Sequence, residues 1–200
     1  AAGLSPIWTN DPFALRRAAI GVGQALIEHN LRFDLLPALQ AAGKLQPIPV
    51  TEEVLAQVQD FISGRLRVVL LDMGFRHDVV DAVLAARSDD PAGSKEAAVQ
   101  LSAWVARPDW NTILPAYARC VRILRASPEE AALAINVDQT LLTDPAEKAL
   151  FASLQTDSSQ PVSIDDFLTR VDKLVPAINL FFDKVLVMAD DEKLRCNRLA

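Results

Sequence analysis

In several places along this chain a helix-capping residue is followed directly by proline, among them Asp11-Pro12, Ser127-Pro128 and Asp144-Pro145. A capping side chain accepts hydrogen bonds from the first amides of a helix. Proline suits the first helical position because the amide there has no partner within the helix. Glutamate stands three residues after Ser127 and after Asp144, which completes the capping-box pattern. Each of these three pairs therefore predicts the start of a helix.

Apolar residues recur between these starts at spacings of three and four. Thr51 is a further capping residue, and the stripe that follows it consists of Leu55, Val58, Ile62, Leu66 and Val69. This spacing is typical of a helix with one buried side. Gly74 predicts the end of that helix, Asp78 is interpreted as the cap of the next, and the stretch 88–94 is interpreted as a loop. No stretch alternates as a strand would, so the sequence predicts an all-α bundle with short loops.

Two further proline signals lie inside apolar stretches. Pro115 is interpreted as a kink or as the true start of its helix. Pro176 is expected to bend its helix rather than end it, because the apolar period continues beyond it.

The net charge and the chain length limit the classes of function that this chain can have. Half of the 200 residues are hydrophobic, which is enough for one good core. The net charge of −6 argues mildly against nucleic-acid binding over the whole surface. However, the carboxylates concentrate at predicted helix starts, where they face the positive end of the helix. The local electrostatic field at a given surface, and not the net charge of the whole chain, then decides what the chain can bind.

The Pro47-Ile48-Pro49 break predicts a domain boundary. We therefore divide the chain into residues 1–46, the end of a helical body domain with its linker, and residues 47–200, one helical domain. Because the chain begins at Ala1 and has no signal segment, we expect it to be part of a longer protein. No apolar run is long enough to cross a membrane. Cys120 and Cys196 match no metal or redox spacing and indicate core thiols in a reducing cytosol or organelle matrix.

Catalytic and metal-binding patterns are missing from the sequence. His77-Asp78 resembles a dipeptide of metal-dependent phosphohydrolases, but such sites need more histidines, and His29 is the only other one. There is no glycine-rich phosphate loop and no zinc-ligand grouping. We expect no catalytic residue, no metal and no cofactor in this part of the protein.

Arginines supply the most suggestive chemistry. Arg119, Arg122 and Arg125 are spaced three apart and lie along one side of a helix. They form either a solvated face or a ridge for phosphates and bases, with Trp110 and Tyr117 as stacking partners. Tyr117 also fits the apolar stripe, which favours core packing for it.

Two further cationic groups are candidates. The first consists of Lys193, Arg195 and Arg198, and the acidic stretch 190–192 before it could simply pair with it. The second consists of Arg65, Arg67 and Arg76.

Three segments in order resemble the bacterial glycyl-tRNA synthetase β-subunit. Residues 11–19 (DPFALRRAA) are similar to a helix near the end of its helical body. Residues 61–67 (FISGRLR), with Gly74-Phe75 and 81–85, resemble the opening of a DALR-type anticodon-binding domain. Residues 181–199 (FFDKVLVMADDEKLRCNRL) resemble its end. The resemblance implies a helical bundle of the DALR anticodon-binding type with a short helical N-terminal extension.

One departure concerns the arginine helix. The family often shows Lys-Arg-Val-x-Asn-Ile-Leu where this chain has the stretch 118–124 (ARCVRIL). Arg119 carries over, but the neighbouring lysine and asparagine do not. Arg122 restores one positive charge in their place.

The resemblance implies a division of labour in the parent enzyme. Glycine activation, with ATP and Mg, occurs on the α-subunit or on a fused α-like region. The β part binds glycine tRNA, and its C-terminal domain reads the anticodon, whose second and third bases are cytosines. Carried over to this chain, Arg119 and Arg122 would contact the anticodon loop and Arg65 and Arg67 would contact phosphates. The further tRNA-binding candidates are Arg125, Arg195 and Arg198.

Alternatives to this reading stay open. Arg195 and Asn197 could equally tie the last helix to the bundle. The chain could be a helical module that docks subunits, which exposed Trp8, Trp104 or Trp110 would favour. It could also be the anticodon domain of another DALR-type synthetase, such as the arginyl enzyme. The segments DPFALRR and FFDKVLVM favour the glycyl assignment.

Overall fold

The computed structural model describes residue 11 and residues 13–133, 136–156 and 160–200. Within these ranges all regular secondary structure is helical, as predicted. The α-helices are α1 (Leu15–Glu28), α2 (Leu35–Lys44), α3 (Glu52–Asp72), α4 (His77–Ala86), α5 (Pro91–Val105), α6 (Trp110–Ala126), α7 (Pro128–Leu133), α8 (Pro145–Gln155), α9 (Ile164–Lys184) and α10 (Glu192–Leu199). A short 3-10 helix, Gln139–Leu141, lies between α7 and α8. Of the helices described, none combines the length and the apolar character that crossing a membrane requires.

The chain forms two compact units, residues 1–103 and 104–200. In the first unit α3 is central, because α1, α2 and α4 all pack against it. The boundary predicted after residue 46 lies within this unit, between α2 and α3. The assignment of residues 47–103 to one domain with the second unit stays a prediction.

The core of the first unit follows the apolar stripe predicted for α3. Leu66 and Leu70 are almost fully buried and pack with Ile27 of α1 and Val80 of α4. Ile62, one turn earlier on α3, joins a second cluster with residues of α1 and α2. Three helices thus bury their apolar sides against the single stripe of α3, which fixes their order around it.

Both ends of α3 are closed as the sequence predicts. The hydroxyl of Thr51 accepts from the backbone N–H of Val54 at 3.4 Å. At the other end Gly74 has φ +90°, and its N–H donates to the carbonyl of Leu71 at 2.9 Å. The N–H of Phe75 reaches back to the carbonyl of Leu70 at 3.3 Å. These two bonds form a Schellman motif, which needs a left-handed residue where Gly74 stands.

The second unit is built around α9. Helices α6 and α8 both pack on it, and α7 packs on α10. Phe181 of α9, Ala146 of α8 and Leu199 of α10 meet in one buried cluster with Val185 and Val187. The segment 181–199 therefore supplies most of the buried residues of this cluster.

The proline predictions have different outcomes. Pro176 lies inside α9, which continues beyond it to Lys184, so that prediction is confirmed in that the helix does not end there. Pro115 lies inside α6, which already begins at Trp110, and so does not mark the start of the helix. Pro128 and Pro145 begin α7 and α8, and Asp144 and Glu147 form the predicted capping box.

Two other local predictions were wrong. Helix α4 begins at His77, so Asp78 does not cap it; its carboxylate accepts from Arg76 instead. The stretch 88–94 is not a loop throughout, because α5 begins at Pro91. Here Asp90 accepts from the N–H of Gly93 at 3.0 Å, so a capping residue followed by proline starts this helix too.

The first predicted helix begins later than expected. Helix α1 starts at Leu15, although the carboxylate of Asp11 still accepts from the N–H groups of Leu15 and Arg16 at 2.8 and 3.0 Å. Pro12, predicted as the first helical residue, lies outside the described residues.

Candidate nucleic-acid interface

Helix α6 has three arginines and no acidic residue along its whole length. Its buried side is formed by Ile113 and Ala116, and the helix packs on α9. Arg122 and Arg125 project from the opposite, exposed side, and Arg119 lies at the edge next to α9. The predicted arginine row is therefore present on the surface of the second unit.

Arg119 lies against the last turn of α9. Its guanidinium carbon is 4.6 Å from the centroid of the Phe182 ring, which is the geometry of a cation–π contact. Its Nη1 is 3.6 Å from Oδ1 of Asp183, and the two side chains are 39% and 66% exposed. This distance is too long for a hydrogen bond, so the N–H donors remain accessible to a ligand.

Arg122 and Arg125 are both exposed. The Nε of Arg122 donates to the carbonyl of Ala118, one turn earlier on the same helix, at 3.1 Å. Within the described ranges neither arginine pairs with a carboxylate. Their positive charges are thus compensated less than those of Arg67, Arg195 and Arg198, which pair with carboxylates.

The two aromatic residues proposed for stacking differ in position. Tyr117 meets Phe167 of α9 edge-on, with ring centroids 5.6 Å apart. It is nevertheless 39% exposed, so one part of the ring packs on α9 and another part faces solvent. Trp110 is half-buried at the start of α6. The predicted packing of Tyr117 is therefore confirmed, and stacking of its exposed part on a base stays a prediction.

Arg195 and Arg198 are engaged in holding the last helix. Arg195 pairs through Nε with Glu130 at 2.9 Å and donates to the carbonyl of Ala189 at 2.7 Å. Arg198 pairs with the buried Glu147 at 2.6 Å and donates to the carbonyl of Leu186 at 2.9 Å. Their geometry therefore supports the structural alternative stated for α10 more than contact with a ligand.

Asn197 completes this attachment. Its side-chain oxygen accepts from the backbone N–H of Asp138 at 2.6 Å, and its nitrogen donates to the carbonyl of the same residue at 3.1 Å. The side-chain amide of Asn197 thus makes two hydrogen bonds, one accepted and one donated, with the backbone of the residue just before the 3-10 helix. Asn197 is buried, which makes both bonds costly to lose.

The candidate arginines of the first unit differ from one another in their contacts. Arg67 makes a two-point pair with Asp81, at 2.6 and 3.1 Å, and Arg76 makes one with Asp78. Arg65 lies over the ring of Phe61 at 5.4 Å, and its buried Nε has no partner within the described residues. Arg65 and Arg67 therefore do not share one open cationic surface.

Sequence reasoning passed over the arrangement around Trp104. This ring is buried, its Nε1 donates to Asp165 at 2.8 Å, and Arg107 stacks on it at 4.2 Å. Arg107 also pairs with Asp109 and Asp172, and its hydrogen bond holds the pKa of Asp109 below the ordinary value. The Arg107-Pro108-Asp109 turn could have suggested the local pair, but only the fold brings Asp172 to it.

Trp104 is buried and so does not supply an exposed ring that would favour the docking-module alternative, and Trp8 lies outside the described residues. In the part of the chain described, no three histidine, cysteine or acidic side chains group in a way that could hold a metal ion.

Comparisons with known proteins show similarity to two protein families. Residues 1–85 match the family model of the glycyl-tRNA synthetase beta subunit, and residues 113–200 match that of the DALR anticodon binding domain. The segment 61–85, which we interpreted as the opening of the DALR-type domain, lies within the first match. Helix α6 from Ile113 onward lies within the second.

Whole-chain relatives agree with both models. A glycine–tRNA ligase beta subunit of Acidobacterium capsulatum is 38% identical over 100% of this chain and 30% of its own length. That of Rhodospirillum centenum is 36% identical over 97% and 29%. A chloroplastic/mitochondrial glycine–tRNA ligase of Arabidopsis thaliana is 32% identical over 100% and 19%. The chain thus spans less than a third of these relatives.

The two family models follow each other along this chain, and the bacterial relatives match it over nearly its full length. The chain is therefore similar to the glycyl-tRNA synthetase beta subunit over residues 1–85 and to the DALR anticodon binding domain over residues 113–200.

Proposed function

We propose that this chain binds glycine tRNA as part of a glycyl-tRNA synthetase, and that helix α6 contacts the anticodon loop. The observation that carries the proposal is the helix α6 itself. From Ile113 onward this helix lies in the DALR match, and it has three arginines and no carboxylate. Two of those arginines are exposed without an acidic partner among the described residues.

The chemistry of an anticodon loop suits such a helix. The loop is single-stranded, so its bases can be splayed out, stacked and hydrogen-bonded along their edges. The guanidinium of arginine offers several N–H donors in one plane, which matches the O2 and N3 acceptors of cytosine and the phosphate oxygens. Phosphate contacts would provide position and affinity, and contacts to the two anticodon cytosines would provide specificity.

In the complete enzyme this chain supports a reaction that occurs elsewhere. We infer that glycine is activated by ATP with Mg, and transferred to the tRNA, on an α-subunit or a fused α-like region. The chain contributes tRNA binding and association with that catalytic part, without a catalytic group of its own. The bacterial relatives favour a cytoplasmic enzyme, whereas the name of the Arabidopsis relative places that protein in organelles.

A binding experiment tests the proposal directly. The affinity of the chain for glycine tRNA is compared with its affinity for the same tRNA in which both anticodon cytosines are replaced. We expect tighter binding to the native anticodon, with the preference retained when the salt concentration is raised. Arg119→Ala should weaken binding to the native tRNA. Equal, weak binding to both tRNAs would contradict anticodon recognition and favour the module that docks subunits.

A further inference from the structure

The segment FFDKV, at the end of α9, lies beside one arginine of α6. Phe182 and Asp183 both contact Arg119, and all three residues are at least partly exposed. We propose that Phe182 positions Arg119 for nucleic acid by supporting its guanidinium, and that Asp183 competes with phosphate for the same guanidinium. The inference rests on the proposed function and assigns these two residues a role in it.

Phe182 forms a platform with a fixed orientation. Its ring meets that of Phe181 at 5.4 Å and 73°, and Phe181 is buried in the core of the second unit. The face of Phe182 turned to Arg119 therefore cannot rotate freely. A guanidinium stacked on an aromatic face keeps its N–H groups directed outward from its edge, where a phosphate or base can accept from them.

Asp183 holds the same guanidinium only loosely. The pair is 3.6 Å apart, and both side chains are substantially exposed, so it contributes little binding free energy. Helix α9 ends one residue later, at Lys184, and the negative end of the helix adds a further weak attraction for a cation. A nucleic-acid phosphate carries a full negative charge and can replace Asp183 without a large cost.

The two neighbours should therefore act on affinity in opposite directions. Phe182→Leu keeps an apolar side chain but removes the aromatic face, and we expect it to weaken binding of glycine tRNA about three- to tenfold. Asp183→Asn removes the competing charge, and we expect it to strengthen binding about two- to threefold. A purely structural role for the segment would weaken binding in both variants.

Arg119 must be the residue through which both act. We expect Phe182→Leu and Asp183→Asn to change tRNA affinity very little when they are made in an Arg119→Ala background. Phe182→Tyr, which restores the ring, should recover the affinity. Phe151→Leu in α8 and Asp190→Asn are matched controls that remove an aromatic ring and a negative charge elsewhere in the second unit. Thermal unfolding of each variant separates loss of fold from loss of contact.

The outcomes separate this inference from the proposed function. If the unmodified chain shows no anticodon preference, the proposed function fails and the inference fails with it. If the preference is present and Phe182→Leu, folded normally, binds as tightly as the unmodified chain, only the inference is overturned. Effects that persist undiminished in the Arg119→Ala background would overturn it as well.

Discussion

Glu147 performs two tasks with one carboxylate, and both depend on its charge. One oxygen accepts from the backbone N–H groups of Thr143 and Asp144, each at 2.8 Å, and the other accepts from Arg198 at 2.6 Å. Glu147 thus caps α8 and fastens α10 at the same time. Because the residue is buried, the charge is stable only while these donors surround it.

Removal of the arginine should leave this charge without its cationic partner. We expect Arg198→Ala to lower the free energy of unfolding by about 3 kcal/mol, since a buried carboxylate loses its pair. Urea unfolding of the chain measures the change. Arg122→Ala removes an exposed arginine of the same unit and should change the free energy by only about 0.5 kcal/mol. Equal effects of the two substitutions would contradict the assignment of Arg198 as a structural residue.

The same carboxylate should make stability depend on pH. Burial raises the pKa of Glu147, but hydrogen bonds from the Asp144 backbone and from Arg198 outweigh it, so the pKa lies below its ordinary value. A lowered pKa in the folded state contributes stability above the unfolded pKa of about 4.3, and this stability is lost as the pH falls through the folded pKa. We expect Glu147→Gln to be less stable at neutral pH and the gap to close in acid, as measured by urea unfolding at several pH values. A gap that is constant with pH would show that the charge of Glu147 contributes nothing.

Among the helices, α3 shows most clearly how local chemistry sets the bounds of an element. Gly64, within this helix, and Gly74, just after its end, are both exposed and have open space where a Cβ would stand. They differ in backbone conformation, because only Gly74 has a positive φ. A clash with neighbouring side chains therefore plays no part in what an alanine would do at either position.

Alanine should act in opposite directions at these two glycines. We expect Gly74→Ala to lower the free energy of unfolding by about 1 to 2 kcal/mol, since an L residue is strained at φ +90°. Gly64→Ala lies within the helix and should raise it by about 0.5 to 1 kcal/mol. Differential scanning calorimetry of both variants checks the signs. Two changes of the same sign would contradict the Schellman end of α3.

Many of the helices and their ends could be predicted from the sequence, because helix caps and apolar spacing depend on residues only a few positions apart. The cap at Thr51, the capping box at Asp144 and the stripe of α3 are all in the structure. The start of α5 was missed because loop-forming residues around Asp90 masked a cap followed by proline. Asp78 was misassigned because Arg76, two residues away, takes up its carboxylate.

The candidate site could be predicted only in part, since pairing across helices is not visible in sequence. The row of arginines on α6 follows from spacing alone. That Arg198 is bound by Glu147, 51 residues away, and Arg195 by Glu130 depends on how the helices pack. The same holds for the platform that Phe182 provides for Arg119.

For the molecule as a whole, the net charge of −6 and the proposed binding of an anion are compatible because the charges are unevenly placed. Many of the carboxylates lie at helix starts or next to arginines, as with Asp81 and Asp109. Helix α6 alone combines several arginines with no acidic residue of its own among the helices described. Binding should therefore depend on that helix and not on total charge.

The salt dependence of tRNA binding shows whether affinity depends on helix α6 or on the total charge of the chain. For a single-stranded target, the logarithm of the binding constant falls against the logarithm of salt concentration with a slope of about −0.7 for each phosphate contact. We expect Arg122→Ala to make the slope for glycine tRNA shallower by about 0.7, since it removes one such contact. Arg76→Ala removes the same charge from the whole chain but leaves α6 intact, and its slope should match that of the unmodified chain. Equal flattening in both variants would mean that overall charge, rather than α6, controls the affinity.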